Sequence, residues 1–458
     1  MMKNTICSIS TAPGMGAIAV IRVSGKEAFP IVSQLFDASS DFMGQPANVA
    51  KYRELVDAGK LVDQVVVVKF AAPHSYDGED MVEISCHGSR YVQQRILELL
   101  IQHGCRMAEP GEFTMRAFMN GKMDLPQAEA VADLIESQSE AAHRLAVNQL
   151  KGGFSHKIAE LREQFLQLAA LLELELDFSE EEVEFADRRQ FMELLGSLRK
   201  EVTELVSSFR MGNALKSGIP VAIIGKPNVG KSTLLNALVG DDRAIVSDIP
   251  GTTRDTVEDT FTIQGHTFRF IDTAGIRSSE DEIENYGIRR TFQAVEKADI
   301  VLYLVDAKRT QLSEVKEELA SLRNEIDISE KKFILIANKI DELEELPKEF
   351  RTWSEWDTIY ISAKRHVNLD AVVMTLVDSV SERKLGDATL LTNVRHYDIM
   401  CQIQNEIDRV EEGLVKGLPT DLVAVDLRSI LDKLGVLTGA ITDNDILNTI
   451  FGKFCIGK

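Results

Sequence analysis

The 458 residues, 44% hydrophobic and 27% charged, have the make-up of an ordinary soluble globular chain of about three domains. No apolar run reaches about 18 residues and the start lacks a basic-then-apolar leader, so neither a membrane span nor a secretion signal is expected. Five scattered cysteines without a CxxC pair speak against a disulfide framework or a zinc site and fit a reducing cytoplasm. A net charge of −21 argues against binding nucleic acid over the whole surface. The acidic excess lies between residues 119 and 382, so an RNA would be handled near the almost neutral ends.

In chain order, residues 1–118 alternate β-type runs (Ile18–Val23, Val65–Phe70, Met81–Ser85) with a helical stretch at Arg90–Gly104, the pattern of a small α/β domain. From Asp124 the pattern turns helical. Gln127–Leu150 contains neither Gly nor Pro and predicts one long helix. His156–Leu176 sets Leu161, Phe165, Leu168 and Leu172 at three- and four-residue spacing, and a third helix is predicted over Asp187–Met211. The acidic run Ser179–Glu184 reads as a solvated helix start capped by Ser179. After Ser217-Gly218-Ile219-Pro220 come five short apolar runs: Val221–Ile224, Thr267–Ile271, Ile300–Val305, Phe333–Ala337 and Thr358–Ile361. Strands buried on both faces of a parallel sheet look like this. Beyond Glu382 the chain is helical again, over Asn393–Leu414, Leu422–Leu434 and Asp443–Phe451. The expected fold class is α/β plus all-α and multidomain. An N-terminal α/β domain (1–118) precedes a discontinuous helical domain (119–215 and 383–458) into which a Ras-like P-loop domain with a mostly parallel sheet is inserted (216–382).

The inserted region carries the parts of a guanine-nucleotide site in order. Gly225-Lys226-Pro227-Asn228-Val229-Gly230-Lys231-Ser232-Thr233 fits G-x-x-x-x-G-K-S between an apolar run and an apolar helix. Such a loop turns backbone N–H groups toward phosphates, the lysine reaches the β/γ-phosphates, and the Ser232 hydroxyl is a Mg²⁺ ligand. Some twenty residues on, Gly251-Thr252-Thr253-Arg254-Asp255, preceded by Ser247-Asp248-Ile249-Pro250, stands where a threonine of a switch loop closes on Mg²⁺ and the γ-phosphate, with Thr253 the expected metal ligand. Asp272-Thr273-Ala274-Gly275 supplies a carboxylate toward Mg²⁺ and an N–H toward the γ-phosphate. Asn338-Lys339-Ile340-Asp341 ends another strand-like run. A carboxylate at Asp341 accepts both N1–H and the exocyclic amine of guanine, a donor pair that adenine lacks, and Ser362-Ala363-Lys364 backs the base. Where Ras-like switches carry a water-orienting glutamine, Ile276 stands here. Hydrolysis therefore needs another group, among Glu280, Asp281, Glu282 and Glu284, with Arg254 and Arg277 as sources of positive charge.

An apolar residue after DTAG, an Asn in the P-loop and a GTTRD switch together resemble potassium-stimulated GTPases of the Era/TrmE class. The opening APGMGAIAVIRVSG (Ala12–Gly25), YDGEDMVEISCHGS (Tyr76–Ser89), PGEFTMRAFMNGKMDLPQAEAVADLIES (Pro110–Ser137) and the end Phe454-Cys455-Ile456-Gly457-Lys458 are similar to the MnmE (TrmE) family of tRNA uridine-modification GTPases, over the whole chain. One departure is His87-Gly88-Ser89, where the family has His-Gly-Gly.

The resemblance implies a K⁺ ion held by Asn228 and Thr252 with the backbone around Ser247 and Ile249, and catalysis by Glu284 with Lys231. It also implies a reduced folate (5,10-methylene- or 5-formyl-tetrahydrofolate) against Arg22, Glu83, Lys122 and Lys458. Cys455 matches a C-terminal cysteine tied to tRNA modification. The implied activity is GTP-driven addition of a carboxymethylaminomethyl group at C5 of a wobble uridine, by a homodimer working with a flavin-dependent partner, MnmG (GidA). The sequence has no Rossmann-type glycine loop, so the flavin would come from that partner. The competing reading is an Era- or Der-like ribosome-assembly GTPase, in which the G domain is a timing switch and the ends only bind RNA. A third, weaker one is a dynamin-like scaffold.

Overall fold

The computed structural model describes residues 4–37, 39–178, 188–239, 245–246, 259–271, 292–325, 328, 331–345, 356–381, 390–442, 444–452, 454 and 457. They fall into two compact units: one from residues 1–132, 148–198 and 405–458, the other from residues 133–147 and 199–404.

The first unit holds β1 (Ile6–Ile9), β2 (Ile18–Ser24), β3 (Lys51–Asp57), β4 (Lys60–Phe70), β5 (Met81–His87) and β6 (Arg106–Met107) in one sheet of order β3-β4-β5-β2-β1-β6. Alternation decides its faces. In β5, Val82, Ile84 and Cys86 are buried while Glu83 and Ser85 are partly exposed and His87 is exposed. The buried set packs with α1 (Ala28–Ser33) and α2 (Arg90–Gln102) in one apolar core. β3 and the first half of β4 escaped the sequence reading because charges interrupt their apolar pattern. Arg53 is nevertheless 8% exposed and Lys69 5%. Each lies over the Phe42 ring, and Arg53 donates to Gln45. Buried cations of this kind are tolerated when every donor finds an acceptor.

The helices after α3 (Glu112–Met119) correct one expectation. The stretch 127–150 is not one helix but two, α4 (Leu125–Glu136) and α5 (Glu140–Leu150). Ser137 Oγ donates to the Leu134 carbonyl, and Ser139 Oγ accepts the Ala142 N–H at 3.1 Å, so the serines end one helix and cap the next. In α6 (Gly153–Phe178) the expected stripe is buried at Ile158, Leu161, Phe165, Leu168 and Leu172. It packs with α12 (Thr420–Thr438), whose Leu427, Ile430, Leu434 and Leu437 are buried, within the same unit. α7 runs over Arg188–Ser217, six residues past its predicted end, and stops just before Ile219-Pro220, where proline disfavours helix at the preceding residue. The proposed cap Ser179 lies outside the described residues.

The second unit is built on β7 (Ile219–Ile224), β8 (Ile245–Val246), β9 (Asp259–Ile263), β10 (His266–Phe270), β11 (Ile300–Asp306), β12 (Lys332–Asn338) and β13 (Asp357–Tyr360), in the order β13-β12-β11-β7-β10-β9-β8. β10, β7, β11, β12 and β13 pair in parallel, and β9 and β8 extend the sheet antiparallel beyond β10. All seven residues of β11 are buried, as the uninterrupted apolar run requires of a strand covered on both faces. Two apolar cores follow, one on each face. The first includes Leu234, Leu235 and Leu238 of α8 (Lys231–Val239) and Val372 and Leu376 of α10 (Leu369–Ser381). The second includes Val315, Leu319 and Leu322 of α9 (Leu312–Glu325). The chain then enters α11 (Val394–Val415) and, after α12, ends in α13 (Asn444–Phe451). Among the described residues no helix is long and apolar enough to cross a membrane.

Candidate functional site

Parallel strands deliver their C-terminal ends to one edge of the sheet, which is where ligands of α/β proteins sit. β7 ends at Ile224 and leads into the P-loop; β11 ends at Asp306, β12 at Asn338, and β13 is followed by Ser362. The four loops meet through side chains. Asn338 Nδ2 donates to the Val229 carbonyl at 2.8 Å, while its Oδ1 accepts the Ala363 N–H at 3.0 Å. One buried amide thus ties the phosphate loop to both base loops. A Cβ at Gly230 would meet Asn338 Nδ2 at 2.4 Å, and Gly230 has φ +100°, so this position needs glycine on both counts. Lys339, itself at φ 69°, sends Nζ to the Asn228 carbonyl at 2.7 Å and to Asp306 Oδ2 at 2.9 Å. Burial opposes the Asp306 carboxylate, yet Lys339 and the Lys308 amide hold its pKa below the usual aspartate value. Asp306 was missed in the sequence, although a lone acid closing an apolar strand run marks that edge.

Lys231 opens α8 and donates Nζ to the Gly225 carbonyl at 2.7 Å and the Lys226 carbonyl at 2.9 Å. Burial pushes its pKa below the usual lysine value, and a phosphate would supply the missing counter-charge. Ser232 and Thr233 follow in the exposed first turn of the helix, where its dipole favours an anion. Asn228 has φ 61°, and its carbonyl, pinned by Lys339, fixes how this residue presents its side chain. At the base end, Ser362 Oγ donates to Asp341 Oδ1 at 2.6 Å and Arg365 Nε stands 3.4 Å from Oδ2. The Ser362 hydroxyl leads in holding the Asp341 pKa low, and Arg365, which sequence reasoning passed over, adds to it. Ser247, Asp248, Ile249, Pro250, Gly251, Thr252, Thr253, Asp272, Thr273, Ala274, Gly275, Ile276 and Glu284 lie outside the described residues.

A cavity of ≈ 460 Å³ belongs to the opposite end of this sheet and takes no part in the nucleotide loops. Arg210, Pro220, Arg269 and Asp299 line it, and Arg210 pairs there with the buried Asp299 at 2.7 Å.

In the first unit, Arg22 and Glu83 are direct partners across β2 and β5, and their side chains meet at 2.8 Å. The Arg22 guanidinium also lies over the rings of Tyr76 and Phe113, at 5.1 and 5.5 Å. Lys122 does not touch this pair: its Nζ donates to the Pro73 carbonyl at 3.0 Å. The loop between β4 and β5 therefore contacts Arg22 through Tyr76 and Lys122 through Pro73. Ser10, just past β1, donates to the Gly457 carbonyl at 3.2 Å, which places the chain's end beside the strand that pairs Ser8 with Arg22. Cys455 and Lys458 lie outside the described residues. The departure at Ser89 is harmless to the backbone. A Cβ on Gly88 would meet the Gly16 carbonyl at 2.3 Å, so that glycine is needed. Ser89, at φ −74°, is the N-terminal flank of α2 and has no such need.

Comparison with known proteins agrees with this geometry. The model of the TrmE N-terminus, described as a GTP-binding protein, matches residues 5–122, and that of the MnmE helical domain matches residues 125–455. The tRNA modification GTPase MnmE of Flavobacterium psychrophilum is 47% identical over 460 residues, covering 99% of each chain. That of Parabacteroides distasonis is 48% identical over 466 residues, covering 99% of this chain and 100% of its own. Among solved structures, the G domain of the T. maritima FeoB iron transporter is 25% identical over 35% of this chain and 97% of that one, with a TM-score of 0.26, too low to bear on the argument. With both family models matched and relatives near half identical from end to end, the chain belongs to the MnmE (TrmE) family.

Proposed function

We propose that this chain is a tRNA modification GTPase whose hydrolysis is stimulated by potassium. With a flavin-dependent partner of the MnmG (GidA) kind, it would add a carboxymethylaminomethyl group at C5 of the wobble uridine of certain tRNAs. The observation that carries the reading is Asn338, which ties Val229 of the phosphate loop to Ala363 of the base loop in a chain whose relatives bear that activity in their names. The working division is the α/β domain 1–118, the helical pieces 119–215 and 383–458, and the G domain 216–382, in a cytoplasmic homodimer.

Within it, Lys231 serves the β/γ-phosphates, Ser232 and Thr253 hold Mg²⁺, and Glu284 acts on the attacking water. Asn228, Ser247, Ile249 and Thr252 would hold K⁺, whose charge would offset that building between the β- and γ-phosphates. The fixed Asn228 backbone supports that placement, because a ligand pinned beforehand costs little to order. Hydrolysis is expected to run at least about tenfold faster in K⁺ than in Na⁺, and Asn228→Ala is expected to erase the difference. Equal rates of the parent protein in the two salts would remove the cation from the scheme.

A reduced folate fits the donor set of the first unit. Glu83 offers a carboxylate to amino and ring N–H groups, and Arg22 with Lys122 offers cations to a carboxylate tail. Lys458 and Cys455 would join from the chain's end. The folate supplies a one-carbon unit; these residues bind and orient it. Full-length protein titrated with 5-formyl-tetrahydrofolate should show saturable binding, weakened about tenfold or more by Arg22→Ala. A flat titration at millimolar ligand would favour a GTPase whose ends only bind RNA.

A further inference from the structure

Lys226 has no part in the chemistry above, yet it sits between Gly225 and the rest of the phosphate loop. Its Nζ pairs with Glu314 Oε2 at 2.5 Å and with Glu318 Oε1 at 3.2 Å. The two acids lie four residues apart on α9 and so share one face of that helix. Glu318 accepts a hydrogen bond from the hydroxyl of Tyr303, which is 3% exposed on β11 and in register with Ile224, the last residue before the loop. Burial and the neighbouring Glu318 push the Tyr303 pKa far up, so the hydroxyl stays a donor throughout the neutral range. The three contacts close a ring from β7 through Lys226 to α9 and back through Tyr303 to β11, the strand that pairs with β7.

We propose that Lys226 is a positioning residue for the nucleotide, bracing the first turn of the P-loop against α9 through Glu314 and Glu318. The need for a brace follows from Lys231. Its ammonium spends two of its three N–H groups on the Gly225 and Lys226 carbonyls. Phosphates that draw on the same ammonium compete with those carbonyls, and a hold from outside the loop keeps the turn in place. The brace has an electrostatic side as well. Lys226 neutralises two carboxylates close to where the phosphates dock, and without it they repel the nucleotide. Both effects act on binding and leave the bond-breaking step alone.

The test uses the full chain and steady-state GTP hydrolysis with GDP release. Lys226→Met is expected to raise KM for GTP and the GDP dissociation rate about fivefold, with kcat within twofold, and Lys226→Arg to stay near the parent. Glu314→Gln with Glu318→Gln, which removes the brace together with the charges that would repel the nucleotide, should raise KM and the GDP dissociation rate by less than Lys226→Met, again with kcat within twofold. The exchange Lys226→Glu with Glu314→Lys should recover at least half of the loss seen in Lys226→Glu alone. A KM for Lys226→Met within twofold of the parent overturns the proposal, as does a loss confined to kcat or an exchange variant no better than the single one.

Discussion

Replacing Asp341 by asparagine is expected to weaken GTP binding about 10³-fold while xanthosine triphosphate becomes the better ligand. In the expected site the carboxylate would accept from N1–H and from the exocyclic amine of guanine, and its charge would strengthen both bonds. An asparagine keeps one acceptor and turns an NH₂ group toward the guanine amine, donor against donor. Xanthine carries an oxygen at that carbon, which the same NH₂ can serve. Neither Ser362, which donates to Asp341 Oδ1, nor Arg365 beside Oδ2 is removed, so the pocket keeps its shape and the change is one of hydrogen-bond polarity. The acid side of the pH profile has a definite sign. The folded-state pKa of Asp341 is lowered, so the carboxylate stays ionised as pH falls to the ordinary aspartate value, and guanine affinity is lost only below it, when the carboxylate takes a proton. Equilibrium binding of GTP, ATP and xanthosine triphosphate to both proteins decides the matter. Unchanged GTP affinity in Asp341→Asn would move base recognition elsewhere.

How much of this was legible beforehand depended on whether a signal was local. The parallel strands of the second unit announced themselves, because a run such as IVLYLVD buried on both faces is almost wholly apolar, whereas the antiparallel β8 and β9 went unread. The phosphate and base loops were equally plain, since their chemistry demands particular residues at particular spacings. The break at Ser137–Ser139 was a misjudged local signal. Serines capped a second helix in a stretch where the absence of Gly and Pro had implied continuity. β3 and the first half of β4 failed for a tertiary reason. Arg53 looks like a solvated charge until Phe42, Gln45 and the Asp41 carbonyl close over it, as does Asp63 until it accepts the His87 N–H, and no window of sequence shows that closure. In the site, the roles of Lys339 and Asn338 as ties between loops rest on contacts some 110 residues apart in the chain. The motif named those residues for the base, and only the fold shows that they also hold the phosphate loop.

The second large effect is expected at Glu284, outside the described residues and placed by family resemblance and by what Ile276 cannot do. A sec-butyl side chain neither accepts nor donates a hydrogen bond, so the attacking water must be oriented, and its proton taken, by something else. In the proposed scheme Lys231 would be committed to the phosphates, and a K⁺ ion held by Asn228 would offset charge without handling a proton. A carboxylate in the loop after DTAG fills the remaining role. Glu284→Ala should lower kcat about 10²- to 10³-fold while the dissociation constants of GDP and GTP stay within twofold, because the group contributes to the transition state and not to ground-state binding. Glu284→Gln refines the assignment. Glutamine orients water through the same atoms but accepts no proton at neutral pH, so a deficit as deep as that of the alanine variant marks proton transfer as the function, and substantial recovery marks orientation. Single-turnover hydrolysis of preloaded GTP, measured in K⁺ for all three proteins, separates these outcomes from any change in product release. A Glu284→Ala protein hydrolysing at the parental rate would transfer the role to Glu280, Asp281 or Glu282.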